Sequence, residues 1–232
     1  MEILQCNSTD DAATAGANFI EVRMKEAVSE RGQFTMALSG GSTPWVMLRK
    51  LAERELPWEQ VKVFQVDERA APDGDPDRNL LHIQQDFADR VSLPAENLYA
   101  MPVTDDDLDA AAATYEQALV RLLGESPVLD VVHLGLGGDR HTASLVPDDP
   151  VLEVVDRDVA STAAYAGRRR MTLTYPIINR ARHILWLITG RGKADMLSRL
   201  IQSDREVPAG RVSQAQAILI ADIAALIRHL QK

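Results

Sequence analysis

Apolar positions along this chain switch repeatedly between a helical and a strand-like spacing, and the switches predict the elements. Over residues 9–30, Ala13, Ala17, Ile20, Met24 and Ala27 recur at helical steps, which marks one buried face of a long amphipathic helix. Phe34–Leu38 is an apolar run of strand length. Thr43 and Pro44 then open a helix, because threonine suits the N-cap and proline the first turn. Residues 61–66 form a second strand, followed by a polar loop over 67–78. Residues 105–123, rich in alanine and leucine, read as another long helix, and 128–134 and 184–189 as buried strands. Residues 193–202 read as helix, 217–221 as a last short strand, and Ile223–Leu230 as a closing helix. Strands separated by helices predict an α/β fold: a mostly parallel sheet with helices on both faces, in one domain over residues 1–232. The stretch over about 73–102 is the candidate for a small subdomain.

In an open parallel sheet, ligands bind beyond the carboxyl ends of the strands, and four predicted strand ends here carry polar clusters. The strongest is Gly135-Leu136-Gly137-Gly138-Asp139-Arg140-His141-Thr142-Ala143-Ser144-Leu145. Glycines let the backbone turn sharply and approach a ligand. His141 is the side chain best suited to moving protons near neutral pH, and Asp139 is close enough to orient it. A second end is Ser39-Gly40-Gly41-Ser42-Thr43-Pro44, where glycines, hydroxyls and a helix N-terminus form an anion site. Its spacing fits neither a Walker loop nor a dinucleotide fingerprint. Asp67-Glu68-Arg69 leaves another strand, and a carboxylate there can hold sugar hydroxyls or polarise water. The fourth end is Thr189-Gly190-Arg191-Gly192-Lys193, with Lys193 placed to meet an anion. Arg168-Arg169-Arg170 adds a basic cluster, of which one member is expected to reach a ligand.

Composition narrows the class. The chain is 46% hydrophobic, enough for a proper core, with no apolar run near the length of a membrane span. The first residues lack the basic and apolar segments of a signal peptide, so the expected location is the cytoplasm. The single cysteine, Cys6, leaves no internal disulfide or thiolate cluster and reads as a bystander. A net charge of −9 argues against broad nucleic-acid binding, so an anionic ligand must be met by local arginines and lysines. His82, His133, His183 and His229 show no metal-ligand spacing and read as structural or exposed. Trp45, Trp58 and Trp186 read as packing. Monomer and homodimer both remain open.

In order and spacing, the glycine-rich segments, Asp67-Glu68-Arg69 with Asn79, and Arg170-Met171-Thr172-Leu173-Thr174 resemble the family of 6-phosphogluconolactonases and glucosamine-6-phosphate deaminases over nearly the whole chain. The resemblance implies a Rossmann-like fold and hydrolysis of 6-phosphoglucono-δ-lactone to 6-phosphogluconate in the oxidative pentose phosphate pathway, with no metal or organic cofactor. It implies His141 as general base, with Asp139 or Asp67 orienting it or a substrate hydroxyl. Phosphate then falls to the loop of Ser39, Gly40, Gly41, Ser42 and Thr43 with Arg170 and Lys193, Arg69 also touching substrate. Backbone N–H groups near Gly137 and Gly138 are the expected oxyanion donors. The deaminases carry a glutamate five positions after the histidine, where this chain has Val146, which disfavours amino-sugar ring opening. A phosphosugar sensor needs a DNA-binding segment for which the chain has no room. Arg140 departs from the family, which usually carries glycine there; glycine suggests a positive φ or close approach of substrate.

Overall fold

The computed structural model describes residues 1–230. A seven-stranded sheet is built from β1 (Glu2–Cys6), β2 (Phe34–Leu38), β3 (Val61–Gln65), β5 (Leu98–Tyr99), β6 (Val131–Leu134), β9 (His183–Ile188) and β10 (Ala217–Asp222). Their order is β1-β10-β9-β6-β2-β3-β5, and every neighbouring pair is parallel. Strand side chains alternate between two cores, as a buried parallel sheet requires. Phe34, Met36 and Leu38 enter one apolar cluster with α1 (Thr9–Arg31), α2 (Ser42–Ala52) and α3 (Asn79–Asp86). Ala37, Trp186 and Leu219 face the other, with α4 (Leu108–Leu123), α5 (Tyr175–Arg180), α6 (Ala194–Ile201) and α7 (Ile223–Leu230).

Several elements differ from the pattern reading. β1 joins as an edge strand with only Cys6 buried, so its side chains carry little apolar signal. Residues 67–78 do not begin as a loop. Asp67–Arg69 is β4, which pairs antiparallel with β8 (Arg170–Leu173), and β8 pairs in turn with β7 (Val159–Ser161). The stretch over 73–102 instead sends Ile83 and Phe87 into the α1–α3 core and supplies edge strand β5. The helix expected from residue 105 starts at Leu108, with Asp107 capping it through the N–H groups of Asp109 and Ala110.

This topology fixes where a ligand can sit. From β2 the chain proceeds outward through β3 and β5, whereas from β6 it proceeds the opposite way through β9 and β10. The sheet therefore has its switch point between β2 and β6, and the loops leaving these two strands border a crevice. Those loops begin at Ser39 and Gly135.

Candidate active site

The carboxyl ends of β2, β6 and β9 and the inner edge of the small sheet meet around a cleft of about 300 Å³. Of the residues singled out in the sequence, Ser39, Gly40, Gly41, Ser42, Thr43, Asp67, Arg69, Gly137, His141, Arg170 and Lys193 line it. Gly138 and Asp139 lie outside the lining, and Asp139 reaches the cleft through His141.

The β2 loop is held from behind. Ser39 N–H donates to Nδ1 of His133, a fully buried imidazole whose pKa burial lowers to about 4, so it accepts as a neutral ring. Gly40 lets Asn79 pack against the backbone, since a Cβ there would overlap the Asn79 amide. Gly41 has a φ of 136°, a conformation that only glycine adopts without strain, and α2 starts directly after it. Thr43 Oγ1 and Thr189 Oγ1 lie 2.6 Å apart, tying the β2 loop to the β9 loop. Gly190 N–H in turn donates to Asp222 at the end of β10, 3.0 Å from Oδ1. Asp222 is a residue that the sequence reading missed.

Alternation along β4 separates the Asp67-Glu68-Arg69 triplet by role. Glu68 is fully buried away from the cleft, where it accepts from the N–H groups of Asn79 and Leu80 at the start of α3, both at 2.8 Å. Asp67 and Arg69 face the cleft. Asp67 accepts from Ser144 Oγ at 2.7 Å, and burial pushes its carboxyl above the usual range, only partly opposed by that bond and by Arg69. It is Asp139 that approaches His141: Oδ1 and Nδ1 are 2.6 Å apart. Burial alone would raise the Asp139 carboxyl, but a hydrogen bond from Tyr165 and the charge of His141 outweigh it and hold the group low. An ionised carboxylate only accepts, so Nδ1 carries the proton, and in the neutral form of the ring Nε2 has the lone pair.

The three consecutive arginines diverge. Arg168 pairs with Asp75 at 2.9 Å, and Arg169 donates to Ser161 Oγ at 2.7 Å, facing away from the cleft. Arg170 alone lines it. Only 6% exposed, it makes no side-chain hydrogen bond or ion pair among the described residues, and burial lowers its pKa. A buried guanidinium Nε without a hydrogen-bond acceptor is costly, and an anion would satisfy it. Lys193 likewise has no side-chain partner among the described residues. It closes the short turn Arg191–Lys193, one residue ahead of α6, where the sequence pattern placed the first residue of the helix. No three His, Cys, Asp or Glu side chains among the described residues converge as metal ligands.

Two expectations need correction. The amide of Gly137 is not available to an oxyanion, because it donates to the His141 carbonyl at 2.7 Å to close the loop. The oxyanion role expected near Gly138 is unsupported too, since Gly138 is outside the cleft lining. Tyr165, unnoticed in the sequence, also enters the site. Its hydroxyl donates to Asp139 Oδ2, and the Arg170 guanidinium lies over its ring, 5.1 Å from the centroid.

A profile described as "Glucosamine-6-phosphate isomerases/6-phosphogluconolactonase" matches residues 7–220. The chain belongs to this family. A 6-phosphogluconolactonase of Nostoc sp. is 40% identical over 187 residues, covering 79% of this chain and 78% of that protein. One from Synechocystis sp. is 38% identical over 207 residues, covering 87% and 86%. The solved 6-phosphogluconolactonase of Trypanosoma cruzi superposes with a TM-score of 0.86 at 26% identity, covering 97% of this chain and 95% of that one. Within the family, Val146 occupies the position where the deaminases carry glutamate, and here it is only 4% exposed and outside the cleft lining. No helix among the described residues is long and apolar enough to cross a membrane.

Arg140 keeps the backbone conformation that the family's glycine would favour. Its φ is 84°, and its exposed side chain has no partner among the described residues. A side chain in this region costs about 1–2 kcal/mol, while glycine gives back part of that through its freer unfolded chain. Arg140→Gly is therefore expected to raise the melting temperature by about 1–3 °C and to leave kcat/KM within tenfold. A hundredfold loss concentrated in KM would make the guanidinium a substrate contact.

Proposed function

We propose that this protein is a 6-phosphogluconolactonase, hydrolysing 6-phosphoglucono-δ-lactone to 6-phosphogluconate as a step of the oxidative pentose phosphate pathway in the cytoplasm. One observation carries the reading: an imidazole paired with Asp139 shares a cleft with Arg170, a buried arginine whose side chain makes no hydrogen bond or ion pair among the described residues. The first is built to move a proton and the second to hold an anion, and the lactonase names of the relatives agree with that pairing.

In this reading the substrate phosphate binds Arg170 and Lys193 near the start of α2, where free N–H groups and the helix dipole add to the attraction. Anchored there, the ring is held in reactive geometry by an interaction remote from the bond that breaks. His141 Nε2 takes a proton from water as its oxygen attacks the lactone carbonyl. Collapse of the tetrahedral intermediate breaks the bond to the ring oxygen, and the imidazolium returns the proton to that alkoxide. Asp139 keeps the imidazole in the required tautomer and balances its transient charge. Asp67, its carboxyl pushed upward by burial and fixed by Ser144, is suited to a sugar hydroxyl rather than to His141.

The direct test follows acid release from fresh 6-phosphogluconolactone against a control without enzyme, since the lactone also opens unaided. A rate equal to the control would end the reading. Arg170→Ala and Lys193→Ala are expected to raise KM about 10- to 100-fold with smaller changes in kcat, each removing a charge-assisted contact of about 1.5–3 kcal/mol. Unphosphorylated gluconolactone should be a poor substrate that both variants leave nearly unaffected. Equal losses on the two lactones would show that neither residue reads phosphate.

A further inference from the structure

Between β7 and β8 the chain makes a tight hairpin whose tip lies beside the cleft. Tyr165 and Arg168 face each other across it, with Tyr165 N–H donating to the Arg168 carbonyl at 2.9 Å. The two residues between them, Ala166 and Gly167, both have positive φ, at 51° and 81°. That pattern is a type I′ turn, the connection that matches the twist of a two-residue hairpin. The tip is anchored on its far side by Arg168, 2.9 Å from Asp75 and 3.5 Å from Asp77 in the loop ahead of α3. Tyr165 is thereby fixed beside the cleft, against His141 and Arg170, by backbone geometry and by an ion pair in which it takes no part.

Its side chain touches both halves of the proposed chemistry. The hydroxyl donates to Asp139 Oδ2, the carboxylate oxygen that His141 does not use. The ring lies edge-on to the His141 imidazole with centroids 6.0 Å apart, and its face is covered by the Arg170 guanidinium. Asp139 is about half exposed, with His141 and Tyr165 as its side-chain partners among the described residues. With one oxygen on Tyr165 and the other on His141, the carboxylate plane is set. We infer that Tyr165 is a positioning residue: it fixes Asp139, and through it the His141 ring, and it ties that pair to the arginine that holds the substrate anion.

The inference rests on the lactonase reading for its kinetic consequences but not for its structural one. Tyr165→Phe removes the hydroxyl and keeps the ring. Its kcat is expected to fall about tenfold, the worth of one hydrogen bond to a charged group, with KM within twofold and an unchanged melting temperature. Tyr165→Leu also uncovers Arg170 and is expected to add a rise in KM of about two- to fivefold, on the phosphorylated lactone only. The proton on His141 Nδ1, followed by NMR in histidine-labelled protein, gives a readout that needs no substrate. In the native protein it is expected far downfield and slow to exchange. In Tyr165→Phe it should move upfield and exchange faster. An unchanged Nδ1–H signal in Tyr165→Phe overturns the inference, whatever the kinetics, and so does a loss confined to KM. A KM for Tyr165→Leu no higher than that of Tyr165→Phe overturns the link to Arg170. Should the native protein prove inactive on the lactone, the NMR comparison still decides whether Tyr165 orders the pair.

Discussion

His141→Ala is expected to lower kcat by about 10² to 10⁴, the range for loss of a positioned general base, while KM changes by no more than a few-fold. The split follows from the geometry. His141 shares the cleft with the proposed anion-binding groups but is separate from them, and its Nδ1 is already engaged by Asp139, so the ring contributes mainly to proton transfer. The rate of the native enzyme should fall on the acid side, where imidazoles take up a proton and lose the lone pair that accepts from water. That acid limb should disappear in the alanine variant, leaving a residual rate set by substrate positioning alone. Steady-state kinetics across pH, corrected for spontaneous hydrolysis, make the measurement. Near-normal turnover by His141→Ala would remove the mechanism while leaving the family assignment intact.

The four strand ends were legible in the sequence because each joins an apolar run to polar residues, three of them through glycines, a local pattern within about a dozen positions. Thirteen site residues were singled out, and the eleven that line the cleft come from those ends together with Arg170. The small sheet was not legible. Its strands are three or four residues long and carry charges such as Asp67, Glu68 and Arg170, and β4 pairs with β8 across about a hundred positions. Neither period nor propensity signals such an element; only the fold brings Arg69 opposite Arg170. Which aspartate meets His141 was undecidable for a similar reason. Asp67 and Asp139 follow β3 and β6, the strands on either side of β2, and the choice depends on how the Gly137–His141 turn closes, through the bond from the Gly137 amide to the His141 carbonyl. Tyr165 left only a faint signal, the Ala166-Gly167 pair of a hairpin turn, and that turn says nothing about what lies beneath it.

Gly137→Ala is expected to lower kcat at least a hundredfold while the protein stays folded. A Cβ at this position would overlap Asp139 Oδ1 together with Nδ1 and Cε1 of His141, so the paired side chains occupy the space that the glycine leaves empty. The backbone conformation of Gly137 is outside the left-handed region, and alanine there brings no φ strain. The conflict is thus confined to two side-chain ends that are partly exposed and free to swing into solvent. Swinging away relieves the overlap at little cost in stability, but it breaks the Asp139–His141 bond and moves Nε2 from its place in the cleft. A displacement of about 1 Å at a reacting group is worth about a hundredfold in rate. Gly138→Ala is the control, since its Cβ would approach only the Gly192 carbonyl, at 3.3 Å, and should cost no more than a few-fold. Circular dichroism and thermal melting should place both variants within a few degrees of the native protein, with only Gly137→Ala inactive. Should Gly137→Ala retain turnover within tenfold, the pair seen over the glycine is not the arrangement in which the reaction runs.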